Sequence, residues 1–68
     1  MDSKFIPIKI KEYRNSKGLT QEALAELASV PCPTLIKIEN GMSKNPTINT
    51  LIKICTALKI DISSILRN

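Results

Sequence analysis

Cys32, Thr34 and Lys37 place a thiol, a hydroxyl and an ammonium close together in one stretch, Ser29 to Gly41, which reads SVPCPTLIKIENG. Gln21 lies upstream of it, and Asn40, Lys44 and Asn45 come after it or at its end, adding three amides and a second ammonium. Such groups hold a polar or anionic partner through hydrogen bonds and charge. They do not make a catalytic set. The chain has no histidine, no pair of acids placed as if across a cleft, and no glycine-rich phosphate loop, and so small a domain leaves little volume for a pocket.

Two further chemistries fall away on the cysteines. Cys32 and Cys55 are far apart in sequence and have no histidine to join them, whereas a structural zinc site needs four ligands. No metal and no cofactor is expected, nor is a disulfide between the two. The net charge of +4 gives a basic surface suited to nucleic acid or an acidic partner. No signal peptide and no run long enough to span a bilayer is read, so a cytoplasmic protein with reduced thiols is expected, in a bacterial or phage context.

The elements that must position these groups are short helices. At 68 residues the chain is read as one domain, and such a chain buries only about 60% of its unfolded surface. The first helix is expected from about Pro7 to Lys17. Pro7 suits a first helical position, Ile10, Tyr13 and Arg14 recur at helical spacing, and Gly18 supplies a left-handed stop. Residues 1–6 read as an arm, with Phe5 and Ile6 folded back on the core. Thr20 caps a second helix, with Leu24, Leu27 and Ala28 as its apolar face and Ala25 beside it. A third begins near Cys32 or Pro33 and ends before Gly41, with Leu35 and Ile38 inward and Lys37 on another side. After a loop, Thr47 caps a fourth helix whose expected buried face is Ile48, Leu51, Ile52, Cys55 and Leu58. Asp61 caps a last one carrying Ile62, Ile65 and Leu66. The only run near period two, FIPIKI, contains a proline and leads into a helix, so no strand is expected.

The second and third segments together have the pattern of a helix-turn-helix. Leu24, Ala28, Val30, Leu35 and Ile38 are apolar, and Ala25 is small enough to let two helices meet closely at a steep angle. With KGLTQEALAELA, TLIKIENG, NPTINTLIKICTALKI and DISSIL quoted as they stand, the chain resembles the phage-repressor/Cro-type (XRE-like) helix-turn-helix family from about Ile8 to Leu66. The resemblance implies an all-α, five-helix, lambda-repressor-like domain over 1–68, its motif within about 20–40. It also implies binding of double-stranded DNA as a two-fold homodimer, with the third helix in the major groove.

Carried over residue by residue, the resemblance puts Gln21 at a backbone phosphate, a site that a helix N-terminus suits on physical grounds too. Cys32, Pro33, Thr34 and Lys37 take the outward positions of the third helix, facing the groove. Asn40, Lys44 and Asn45 fall in or before the loop that holds the DNA backbone. Arg14 and Glu39 match an internal ion pair between the first and third helices. Ile62, Ile65 and Leu66 close the core, and apolar surface left over on them is a candidate dimer contact.

Two departures from the family stand out. Ser29 replaces the usual glycine of the turn, where a left-handed residue other than glycine carries a cost. Pro31-Cys32-Pro33 replaces polar residues, and Pro33 biases Cys32 away from helical angles, so the helix is expected to begin at Pro33. The helix then offers Lys37 as its clear base reader, with Thr34 minor and the remainder suited to thymine methyls. Some specificity is expected from DNA shape and dimer spacing.

Each reading has a plainer competitor. Cys32 is a redox switch or a small residue at a cap, and the sequence shows no resolving partner for a switch. Lys37 and Lys44 are phosphate or base contacts or solvated charge; Lys53 is read as solvated charge. Gln21 is a phosphate contact or a polar helix start. Cys55 is read as core. The expected function is a sequence-specific DNA-binding transcriptional regulator, a repressor in the first instance. The alternative is a protein-interaction module on the same frame, such as an antitoxin or a phage protein that binds a partner.

Overall fold

Glycines, threonines and two unusual turn residues punctuate the chain, and the helices break at them. The structure, a computed structural model, describes residues 5–43 and 46–66. Residues 1–4 of the expected arm, together with Lys44 and Asn45, lie outside the described residues. The helices are α1 (Phe5–Ser16), α2 (Gln21–Ala28), α3 (Cys32–Glu39), α4 (Ile48–Leu58) and α5 (Ser63–Leu66). This is the all-α, five-helix, lambda-repressor-like arrangement, and no strand occurs among the described residues.

Thr20 and Thr47 open α2 and α4 in the same way. Each has extended backbone angles, and each hydroxyl accepts an N–H three residues on, from Ala23 at 3.0 Å and from Thr50 at 3.2 Å. One of the unpaired donors at each helix start is thereby satisfied. α1 begins at Phe5, two residues ahead of expectation. Pro7 stands at its third position, where its missing N–H removes no internal bond. Ile6 therefore reaches the core as a helical residue and not as part of an arm. At the far end, α5 begins at Ser63, with the Asp61 carbonyl accepting from Ser64 N–H at 2.9 Å.

Four helices end by one device. At Gly18, Ser29, Gly41 and Lys59 the backbone turns left-handed, with φ of 69°, 58°, 73° and 60°. At each, that residue and the next donate back into the last turn. For α2 these bonds are Ser29 to the Glu26 carbonyl at 3.2 Å and Val30 to the Ala25 carbonyl at 3.0 Å. For α3 they are Gly41 to Ile38 at 3.2 Å and Met42 to Lys37 at 2.9 Å. This is the Schellman ending. The residue after each left-handed one is apolar: Leu19, Val30, Met42 and Ile60. All but Met42 pack on the core. Glycine adopts such angles without cost, while serine and lysine suffer a clash between Cβ and the carbonyl.

The core gathers Ile6 and Ile10 of α1, Leu24, Ala25 and Ala28 of α2, Leu35 and Ile38 of α3, Leu51, Ile54, Cys55 and Leu58 of α4, and Ile65 of α5. Two expected faces turn out rotated. On α2, Ala25 is buried and Leu27 is 61% exposed. On α4, Ile54 is buried, whereas Ile48 and Ile52 are 55% and 45% exposed. The reason is the tight packing of α2 on α4. Small side chains on α2 let the axes approach, and the side of α4 that carries 51, 54, 55 and 58 then faces the core, although a stripe containing 48 and 52 keeps the helical period as well. Burial pushes the Cys55 thiol pKa above its ordinary value by desolvation. It therefore stays neutral and packs as a small hydrophobe.

The strain at Ser29 and Lys59 bears on stability. A left-handed residue with a Cβ costs about 1–2 kcal/mol, and glycine returns part of that gain through its freer unfolded chain. Ser29→Gly and Lys59→Gly should each raise the melting temperature by about 4–8 °C per kcal/mol recovered. The double variant should show the sum. Thermal unfolding followed by circular dichroism reads both; a lower melting point for Ser29→Gly would contradict the assignment of strain to this turn.

Candidate nucleic-acid interface

α3 is held from beneath. It packs on α1 and α2, Leu35 and Ile38 enter the core, and Glu39 turns inward with them. A buried carboxylate must be matched, and Arg14 of α1 matches it. Arg14 Nε donates to Glu39 Oε2 at 2.7 Å and Nη2 donates to Oε1 at 3.0 Å, a two-pronged pair. The Glu39 side chain is fully buried and that of Arg14 is 12% exposed.

Two further bonds widen the pair into a network. Arg14 Nη1 donates to the Leu19 carbonyl at 2.7 Å, in the turn between α1 and α2. Gln21 Nε2 donates to Glu39 Oε1 at 3.1 Å. One buried carboxylate thus ties α1, the start of α2 and the end of α3. Neither bond is among the sequence-based expectations. Arg14 to Leu19 had one available signal: a guanidinium carries five N–H donors, more than a single carboxylate uses. Gln21 to Glu39 had none, because the residues are far apart in the chain and meet only through the helix crossing.

The outer side of α3 carries the other candidates. Pro33, Lys37 and Asn40 are exposed, Thr34 is half-buried, and Cys32, expected to face outward, is half-buried and packs against the core. Cys32 belongs to the helix, one residue ahead of the expected start. Pro31 serves as the cap with φ −60° and ψ 137° and makes no side-chain capping bond. The bias that Pro33 places on Cys32 is overcome because a first helical residue is held by the packing of the turns after it. Thr34 and Leu35 N–H both donate to the Pro31 carbonyl, at 3.0 and 3.2 Å. Pro31 and Pro33 have no N–H, so Cys32 carries the one remaining backbone donor of the turn.

At the other end, Met42 and Ser43 N–H both return to the Lys37 carbonyl, at 2.9 and 3.2 Å. The loop after α3 therefore starts against the turn that displays Lys37. Gly41 makes this reversal possible. A Cβ there would lie 4.0 Å from Pro7 Cγ, an ordinary contact, so the demand for glycine comes from φ alone. No acidic residue occupies the first turn of α3 or α4, which leaves both starts favourable to an anion.

On α5 the candidate dimer residues separate. Ile62 and Leu66 are half-buried, but Ile65 is 1% exposed. Ile65 is a core residue and leaves the candidate contact, because its side chain already packs within its own chain. No group of three or more His, Cys, Asp or Glu that could hold a metal occurs among the described residues.

This geometry, a capped α2, a left-handed turn and an α3 with an inward apolar and an outward polar side, defines a helix-turn-helix domain. Residues 10–65 match the family model described as Helix-turn-helix. The chain belongs to this helix-turn-helix family, of the phage-repressor/Cro (XRE-like) type. It is similar to the HTH-type transcriptional regulator SinR of Bacillus subtilis (strain 168), with 36% identity over 58 residues, 85% of this chain and 52% of SinR. It thus spans about half the length of that relative. A crystal structure of SinR, called the master regulator for biofilm formation, in complex with DNA matches with a TM-score of 0.87 at 35% identity, over 91% of this chain and 98% of that one. The restriction-modification controller protein C.AhdI from Aeromonas hydrophila matches with a TM-score of 0.87 at 30% identity, over 94% and 96% of the two chains.

The buried pair can be tested by removing its members in turn. Arg14→Met leaves the Glu39 carboxylate buried without its ion partner and should cost about 3–5 kcal/mol. That is a large part of the roughly 3–10 kcal/mol available to a domain of this size. Adding Glu39→Met should restore most of the loss. Urea titration of the single and double variants measures both, and a loss below about 1 kcal/mol for Arg14→Met would show the pair to be dispensable.

Proposed function

We propose that this domain is a sequence-specific, double-stranded-DNA-binding transcriptional regulator. It lays α3 in the major groove as one half of a homodimer and represses by occupying ground that polymerase needs. The observation that carries this reading is α3 itself: Lys37, Pro33 and Asn40 stand outward while Glu39, Leu35 and Ile38 lock the opposite side. SinR, the regulator it resembles, has been seen with DNA, which supports DNA as the partner here.

In this reading Lys37 meets a base acceptor, and Cys32, Pro33 and Thr34 line the groove. Gln21 reaches a phosphate with the amide hydrogen that its bond to Glu39 leaves over. Asn40, Lys44 and Asn45 hold the DNA backbone. Half-sites lie about one helical turn, roughly 34 Å, apart. Ile62 and Leu66 contribute to the two-fold contact. The unit 1–68 acts as one domain in the cytoplasm, without catalysis. Among the described residues no helix is long and apolar enough to cross a membrane.

A second reading has its own observation. Leu27 and Ile52 stay exposed on either side of an apolar groove between α2 and α4, as a module that binds another protein would require. Binding to duplex DNA separates the two. A DNA reader loses affinity with a logarithmic salt slope of about −0.9 for each phosphate neutralised. A protein-binding module shows no duplex binding even at low salt.

Lys37→Ala should weaken binding and flatten preference at one or two base positions, by about 1–3 kcal/mol of discrimination. Lys44→Ala should weaken all sequences by one factor and reduce the salt slope by about 1. Fluorescence anisotropy on matched and mismatched duplexes across a salt series reads both. An unchanged preference in Lys37→Ala would remove α3 from the base-reading position.

A further inference from the structure

We propose that the first turn of α3 is a reader of 5-methylpyrimidines. Pro33 and Thr34, with half-buried Cys32 beside them, form an apolar tip that receives the C5-methyl group of thymine, or of 5-methylcytosine, while Lys37 one turn on provides the cationic donor. The inference rests on the DNA-binding reading above and specifies what that same site selects.

Donors are scarce at this tip. Reading a guanine or adenine edge takes N–H groups aimed into the groove. In this turn Pro31 and Pro33 have none, and the N–H groups of Thr34 and Leu35 are tied to the Pro31 carbonyl at 3.0 and 3.2 Å, which leaves the backbone N–H of Cys32 as the one donor of the turn. The side chains add a thiol, a weak donor, and one hydroxyl. Facing such a tip, a polar base edge would surrender its bonds to water and receive little in exchange.

The surface that remains is apolar. At the start of the helix Pro33 is exposed and Thr34 half-buried, offering a pyrrolidine ring and a γ-methyl, while Cys32 beside them is half-buried and packs against the core. The C5-methyl of a pyrimidine is the apolar group that B-DNA displays in its major groove. Contact between the two removes apolar area from water on both sides. The turn also carries no carboxylate, so the amino group of an unmodified cytosine finds no strong acceptor there. The methyl can come from thymine or from a methylated cytosine, and the tip recognises what they share.

Uracil differs from thymine only in that methyl, so the test is made on the DNA. From the duplex enriched by selection out of a random pool, each thymine of a half-site is replaced by deoxyuridine in turn. Affinity is then measured with the intact chain. At one or two adjacent positions per half-site, uracil should weaken binding about fourfold, the factor for burying one methyl-sized group. Placing 5-methylcytosine there should bind more tightly than cytosine by a similar factor; if it does not, while thymine still exceeds uracil, thymine is the sole source of the methyl. Pro33→Ser and Thr34→Ser should bring the thymine-to-uracil ratio towards one, with helix content checked by circular dichroism. The DNA substitutions leave the protein untouched, so they decide the matter even where a variant fails to fold. Sequence-specific binding with equal affinity for thymine and uracil at every position overturns this inference alone. Absence of any sequence-dependent binding by the folded protein overturns the DNA reading together with it.

Discussion

The Glu39 carboxylate, buried and bound by Arg14 and Gln21, is the constraint on which the placement of α3 depends. A carboxylate removed from water must be met by charge and by hydrogen bonds, and the groups that meet it come from two other helices. Arg14 approaches from α1 and also clasps the carbonyl of Leu19. Gln21 approaches from the first residue of α2. α3 therefore cannot roll about its axis or slide along α2 without stripping a partner from Glu39. The apolar contacts of Leu35 and Ile38 would tolerate small rotations. The directional bonds do not, so the outward position of Lys37, two residues before Glu39, is set by the chemistry of the inward one.

A second constraint governs the ends of the helices. In a chain this short each helix must stop within a few turns and reverse direction without leaving carbonyls unpaired. The left-handed ending recurs four times, and the apolar residue after three of these turns packs on the core. At Gly18 and Gly41 the conformation suits the residue. At Ser29 and Lys59 it is imposed by the packing around it. The turn at Ser29 matters most for the interface, since it fixes the angle at which α3 leaves α2.

Much of this was legible in the order of residues. Thr20 and Thr47 announced helix starts, glycines announced stops, and the quoted segments identified the family. The rotations of α2 and α4 were not legible. Leu27 and Ile52 satisfy an apolar period as well as Ala25 and Ile54 do. Periodicity ranks faces by hydrophobicity, whereas close packing of α2 on α4 ranks them by fit, and the small alanines won. Ile65 stood between core and dimer contact for a related reason. A terminal apolar residue looks the same in sequence whether it closes its own core or waits for a second copy. The one-residue shift at Cys32 reflects a local preference overridden by the helix it begins.

The sequence by itself determined the helix count, the capped and terminated boundaries to within a residue or two, the helix-turn-helix pattern, and the shortage of donors at the start of α3. Those features are local, written in single residues and in spacings of three and four. Tertiary structure alone decided that Ala25 and Ile54 are core in place of Leu27 and Ile52, that Gln21 turns one hydrogen inward to Glu39, and that Arg14 also holds the Leu19 carbonyl. It also decided that Lys59 accepts a left-handed angle. The physical reason is range: caps and periods act within one turn of helix, while burial and the matching of a buried charge depend on residues that only folding brings together.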